Sequence, residues 1–114
     1  MIANLLRSRG LSLGPDEHLL GINESNPFGH FEHIGFLKIN EALLKHLGGS
    51  WDNPPHLHQG WEQDPALDEL TSEARLLIDD FADCSTWGWK DPRTTILLQF
   101  WQKIIPNLRY VVCI

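Results

Sequence analysis

Apolar side chains are arranged most regularly near the carboxyl end of the chain. A run from Thr86 to Trp89 is typical of a short buried strand, and a second run, from Leu108 to Ile114, is rich in β-branched residues and indicates another strand. Between the runs, apolar residues recur at the three- and four-residue spacing of a helix, at Ile96, Leu97, Phe100, Trp101, Ile104 and Ile105. Strand, helix and strand in this order predict a βαβ unit with two parallel strands.

The predicted helix begins at a charged turn and ends at Pro106. Asp91 suits the N-cap, because its carboxylate can accept hydrogen bonds from free backbone N–H groups, and Pro92 suits the first helical position. Helix N-termini and the carboxyl ends of parallel strands are where α/β proteins bind anions. Lys90 and Arg93 add two cations there, so the turn predicts a site for phosphate or sulfate. An ordinary solvated helix start is the alternative interpretation of the same residues.

Helical spacing also predicts three earlier helices, which span residues 1–9, 33–47 and 64–81. Each has a local boundary signal: Gly10 follows the first, a glycine pair follows the second, and Asp64-Pro65 begins the third. The segments between them, 11–29 and 50–63, are punctuated by glycine, proline and asparagine, which is typical of loops.

Composition then narrows the class of protein. The chain has 114 residues, enough for one small domain over residues 1–114, and a net charge of −6, which argues against nonspecific nucleic-acid binding. No apolar run approaches the roughly 18 residues of a membrane helix, and the N-terminus lacks a signal-peptide pattern. Two cysteines, Cys84 and Cys113, are too few for a disulfide framework. We therefore expect a cytoplasmic protein without a membrane partner.

The charges are unevenly distributed along the chain. Residues 52–83 are strongly acidic and contain Arg75 as their only lysine or arginine, whereas the residues from Lys90 onward are basic and contain Asp91 as their only aspartate or glutamate. A local positive field of this kind favours an anionic small molecule.

Two further sets of residues could carry chemistry. Glu32 lies between aromatic residues just before the predicted helix 33–47. Partial burial would raise the pKa of its carboxyl group and suit it to act as a base, although its charge could equally serve only to favour the positive end of the helix dipole. The histidine pairs 30/33 and 56/58 invite a zinc site, but no Glu completes a metalloprotease arrangement, so we predict loop histidines and no metal.

Several segments, taken in order, resemble the sulfotransferase family that uses 3′-phosphoadenosine 5′-phosphosulfate (PAPS). The likeness is to bacterial-type members and, more distantly, to tyrosylprotein sulfotransferases, and it covers nearly the whole chain. The segments that carry it are Leu13-Gly14-Pro15, Asn26-Pro27-Phe28-Gly29-His30-Phe31-Glu32, Leu47-Gly48-Gly49-Ser50-Trp51-Asp52-Asn53-Pro54-Pro55, Trp89-Lys90-Asp91-Pro92-Arg93-Thr94 and Pro106-Asn107-Leu108-Arg109-Tyr110-Val111-Val112.

The resemblance implies an α/β fold like that of P-loop NTPases, a parallel sheet with flanking helices, with PAPS as co-substrate. It also implies that the family's 5′-phosphosulfate loop lies before Met1 and its 3′-phosphate site after Ile114. We therefore expect a middle segment of a sulfotransferase, truncated at both ends, mostly helical as it stands and inactive in isolation. Unpaired strand edges would favour a homo-oligomer.

By position in these motifs, Lys90 resembles the lysine that contacts the transferring sulfonate, and Glu32 resembles the base toward the acceptor. Arg93 and Thr94 would line the same cofactor-binding pocket with Lys90. The acceptor would be a hydroxyl or amine on a small molecule, a carbohydrate or a peptide, and no metal is needed.

Two other functions stay open. A kinase-like nucleotide-binding domain of the P-loop type would need a phosphate-loop lysine and a magnesium-binding acid, and the sequence shows neither motif. A non-catalytic interaction fragment is the remaining alternative.

Overall fold

The computed structural model describes residues 6–14 and 33–111. Within these ranges, residues 6–8 are helical and three α-helices follow: α1 (Ile34–His46), α2 (Asp68–Asp79) and α3 (Leu98–Ile104). Short 3₁₀ helices span Trp61–Gln63, Pro65–Leu67 and Pro92–Thr95. No helix in this part of the chain is long and apolar enough to cross a membrane.

The predicted parallel sheet is wrong for the described residues, which contain no β-strand. A single parallel bridge pairs Ser12 with Trp87. The Ser12 N–H donates to the Thr86 carbonyl at 2.9 Å, and the Gly88 N–H donates to the Ser12 carbonyl at 3.0 Å. The second predicted strand is irregular over residues 108–111, and its last three residues lie outside the described ranges. A P-loop-type sheet is therefore not the architecture of this part of the protein.

The two apolar runs fail as strands for different reasons. In the first, the rings of Trp87 and Trp89 pack on other aromatic rings, and the backbone pairs with the short segment around Ser12 through a single bridge. In the second, Tyr110 and Val111 are 50% and 63% exposed. An apolar β-branched run favours extended backbone, but a strand forms only when a neighbour supplies N–H and C=O partners.

Two predicted helices are confirmed, with local signals at their ends. The helix predicted over 33–47 is α1, and the one predicted over 64–81 is the 3₁₀ helix Pro65–Leu67 followed by α2. Asp64 caps the 3₁₀ helix by accepting from the Ala66 N–H at 2.9 Å. At the end of α1, Gly48 has φ 86° and its N–H donates to Lys45, while the Gly49 N–H donates to Leu44. This pair of bonds is the Schellman motif, which requires a left-handed residue and so favours glycine.

The helix predicted after Asp91 is present but divided. Pro92–Thr95 forms a 3₁₀ turn, and α3 begins only at Leu98, because Leu97 has φ −107° and ψ 21° and interrupts the helix. Asp91 caps the first turn as predicted, accepting from the Arg93 N–H at 3.1 Å. The cap therefore orders a short turn, not the start of a long helix.

Helix α1 lies at the centre of the packing, where it contacts α2 and the 3₁₀ helix Pro92–Thr95. Its Phe36 is fully buried and stacks on Trp89, with ring centroids 4.3 Å apart and planes 4° from parallel. The rings of Phe81 and Trp87 stack beside them at 4.7 Å. These aromatic contacts hold residues 87–89 against α1 and so place the turn that follows. The buried apolar cluster comprises Phe36, Ile39, Leu43, Leu44, Trp61, Leu67, Ala74, Phe81, Leu97, Phe100 and Trp101.

Candidate functional site

Lys90 occupies a turn whose two neighbouring residues are both held by side-chain hydrogen bonds. On one side, the Trp89 indole N–H donates to the Thr94 hydroxyl oxygen at 2.9 Å. On the other side, Asp91 is only 7% exposed and its carboxylate is hydrogen-bonded within the protein. Lys90 itself is half-buried. Its backbone is therefore constrained from both directions.

The Asp91 carboxylate is the centre of this arrangement. Its Oδ1 accepts from the Arg93 N–H at 3.1 Å and from Arg93 Nη1 at 2.9 Å, and its Oδ2 accepts from Asn40 Nδ2 at 2.9 Å. A buried carboxylate is stable only when its charge and its lone pairs are both satisfied, and these three donors satisfy them. Asp91 is thus more than the helix cap that the sequence predicts.

Asn40 supplies the connection to helix α1 and is fully buried. Its Nδ2 donates to Asp91 and, at 3.1 Å, to the Thr94 hydroxyl, while its Oδ1 accepts from the Trp101 indole N–H at 2.8 Å. The orientation of the amide is determined by its partners, because an indole N–H can only donate and a carboxylate can only accept. We call Asn40, Trp89, Asp91, Arg93, Thr94 and Trp101 the Asn40 network.

Arg93 and Thr94, predicted to bind the cofactor with Lys90, lie in this network. The Arg93 side chain is 17% exposed, pairs with Asp91 at 2.9 Å and lies 3.5 Å from the Glu41 carboxylate. The Thr94 hydroxyl oxygen accepts from Asn40 and Trp89, which uses both of its lone pairs. The three predicted residues do come together in one turn, where hydrogen bonds within the protein engage the side chains of Arg93 and Thr94. Their binding of a cofactor stays a prediction.

Glu32, the predicted base, lies outside the described residues. The residue after it, His33, is buried and caps α1, since its Nδ1 accepts from the Gly35 N–H at 2.9 Å. Its ring contacts Phe36 edge-on at 5.3 Å, and a Cβ on Gly14 would come within 2.8 Å of it. The position that directly follows Glu32 is therefore tightly constrained.

Sequence reasoning missed the roles of Asn40 and His33. A signal for Asn40 does exist: it lies four residues after Phe36 and four before Leu44, on the apolar stripe of the predicted helix. A polar residue on such a stripe needs a buried partner. His33 was grouped with the histidine pairs, yet it serves as a helix cap, and the described residues contain no cluster able to hold a metal ion.

Comparison with known proteins does not assign the site. Neither the protein-family models, nor the curated proteins, nor the solved structures include a match to this chain. The interpretation of the site therefore depends on the chain's own motifs and contacts.

Proposed function

We propose that this chain is part of a sulfotransferase that moves a sulfonate group from PAPS to a hydroxyl or amine acceptor. The observation that carries the proposal is the constraint on Lys90, whose two neighbours both belong to one partly buried hydrogen-bond network. Electrostatic catalysis depends on a charge that is already in position, so that no reorganisation is needed during the reaction. A lysine in a constrained turn meets that requirement.

The chemistry matches the residue types. Sulfonate transfer breaks the bond between sulfur and the bridging phosphate oxygen and forms a bond between sulfur and the acceptor. Lys90 would stabilise the negative charge that develops on the bridging oxygen, more strongly in the transition state than in the ground state. Glu32 would take the proton that the acceptor loses.

Arg93 and Thr94 support the proposal indirectly. Their side chains are held by Asp91, Asn40 and Trp89, so they shape the turn that presents Lys90. The proposal rests on this turn and on the Trp89–Thr94 motif, and it does not require the parallel sheet that the described residues lack.

Release of adenosine 3′,5′-bisphosphate from PAPS, with p-nitrophenol as acceptor, tests the proposal directly. The assay compares wild type, Lys90→Ala and Lys38→Ala, because Lys38 is an exposed lysine on α1 and makes a matched control. In the full product of the gene, we expect Lys90→Ala to lower turnover by about 10²-fold, the scale of losing one such group, and Lys38→Ala to leave it unchanged. Both this chain and the full product of its gene should be assayed.

Two results would contradict the proposal. One is a protein that neither turns PAPS over nor binds adenosine 3′,5′-bisphosphate in calorimetry, in either form. The other is a Lys90→Ala variant as active as wild type, which would return Lys90 to an ordinary turn residue.

A further inference from the structure

Asn40 connects helix α1 to the turn formed by residues 89–94, which we call the Lys90 turn. The position of this turn relative to α1 depends on the hydrogen bonds of Asn40. We infer that Asn40 is a positioning residue for Lys90, acting through Asp91 and Thr94; this inference rests on the proposed function. The helix that Asn40 belongs to begins at Ile34, and its cap, His33, directly follows Glu32 in sequence. Asn40 therefore sets the position of the Lys90 turn relative to the helix that follows the proposed base.

The first support is the completeness of Asn40's bonding. Both N–H groups of its side-chain amide are used, one by Asp91 and one by Thr94, and its carbonyl oxygen is used by Trp101. These partners lie on two elements, the turn around Lys90 and helix α3. A single side chain thus specifies the mutual position of α1, α3 and the turn.

The second support is energetic. A buried polar network stabilises a protein little compared with well-packed apolar side chains of similar volume, because its charges and amides must first leave water. The α1 face around Asn40 is otherwise apolar, with Phe36, Ile39, Leu43 and Leu44 all buried. A leucine at position 40 would suit that face, so packing alone gives no reason for an amide there. Specific geometry at the turn is what the amide adds.

The consequence for the reaction follows from the contacts on each side of Lys90. Without Asn40, Asp91 Oδ2 loses a hydrogen-bond donor and Thr94 loses one of its two, so the residues that flank and follow Lys90 are released together. Displacement of a catalytic group by about 1 Å can cost about 10²-fold in rate. Asn40 should therefore affect turnover only as long as Lys90 is present.

A double-mutant cycle measures that dependence. Turnover of PAPS by the full product of the gene is determined for wild type, Asn40→Leu, Lys90→Ala and the double variant. We expect Asn40→Leu to lower kcat by about tenfold or more in the wild-type background and to have little effect in the Lys90→Ala background. Leu67→Ala, which removes a fully buried side chain on a different element, is the control for simple destabilisation and should act equally in both backgrounds.

Thr94→Val gives a second route if Asn40→Leu fails to fold. It is nearly isosteric and removes only the hydroxyl that accepts from Asn40 and Trp89. We expect Thr94→Val to lower kcat less than Asn40→Leu does, and this loss should also disappear in the Lys90→Ala background. Equal losses in both backgrounds would overturn the inference and leave the proposed function standing, whereas a Lys90→Ala variant with full activity would overturn the proposed function itself.

Discussion

Asp91 shows how much can depend on one buried charge. Its carboxylate is almost inaccessible to water and is compensated mainly by the Arg93 guanidinium at 2.9 Å. We expect Asp91→Asn to lower the free energy of unfolding by about 3 kcal/mol, near the lower end of the range for a broken buried pair, because Glu41 still faces Arg93 at 3.5 Å. Urea unfolding, followed by intrinsic tryptophan fluorescence, measures the change.

The control for this prediction is Asp83→Asn, which removes an exposed carboxylate of the same kind. Its effect should stay within about 0.5 kcal/mol. If the two variants shift the urea midpoint equally, with unchanged slopes, the buried pair is not a source of stability.

The same residues show what a sequence can reveal at this level. The caps at Asp64 and Asp91 and the glycine that ends α1 were predictable, because each makes its defining contact within five residues. Asn40 was not, since its partners Asp91 and Trp101 lie 51 and 61 residues away. Periodicity identifies a polar side chain on an apolar stripe but does not identify what it meets. The turn that holds Lys90 was therefore visible in the sequence, and the network that constrains it was not.

Among the helices, the junction between α1 and α2 brings a histidine close to a carboxylate. His46, at the end of α1, lies 3.6 Å from Asp64, whose side chain caps the 3₁₀ helix before α2. The Ala66 N–H, which donates to the Asp64 carboxylate, holds the pKa of that group below its ordinary value of 3.8, and His46 and His58 act in the same direction. The bond therefore favours the charged form of Asp64 in the folded protein.

The sign of the pH effect follows from that direction. A carboxyl group with a depressed folded-state pKa contributes its stability above its unfolded-state pKa and loses it as the pH falls through the lower, folded-state value. Asp64→Asn keeps a good helix cap but has no charge to titrate. We expect wild type to melt at a higher temperature than Asp64→Asn above about pH 5, and the difference to shrink steadily as the pH falls below about 4.

Thermal melts of the two proteins at a series of pH values measure this difference. Other carboxylates titrate in both proteins and cancel in the comparison. A gap in melting temperature that is the same at pH 2 and pH 6 would mean that the Asp64 charge contributes nothing to the junction.

The predicted helices and the predicted strands had different outcomes for a physical reason. A helix satisfies its backbone within itself, so the apolar spacing and caps around α1 and α2 were sufficient to locate them. A strand needs a second segment, and an apolar run does not say whether one is in reach. The run from Thr86 to Trp89 makes one bridge, to Ser12, and its tryptophan rings pack on α1. In the second run, Tyr110 and Val111 are exposed.

Across the chain, two electrostatic effects act on an anionic ligand in opposite directions. The net charge of −6 repels an anion, whereas the basic residues from Lys90 onward attract one. A bisphosphate nucleotide approaches the turn around Lys90 favourably only if the attraction by the basic residues exceeds the repulsion by the net charge. Salt separates the two effects, because it screens attraction and repulsion alike.

We therefore predict that calorimetric titration of the full product of the gene with adenosine 3′,5′-bisphosphate shows weaker binding as ionic strength rises from about 0.01 M to about 0.15 M, where the Debye length falls from about 30 Å to about 8 Å. Lys90→Ala should bind more weakly and lose part of this salt dependence, while Lys38→Ala, at an exposed position on α1, should retain it. Binding that strengthens with salt would mean that the overall negative charge governs the approach of the nucleotide. In that case the turn around Lys90 would not be the anion site.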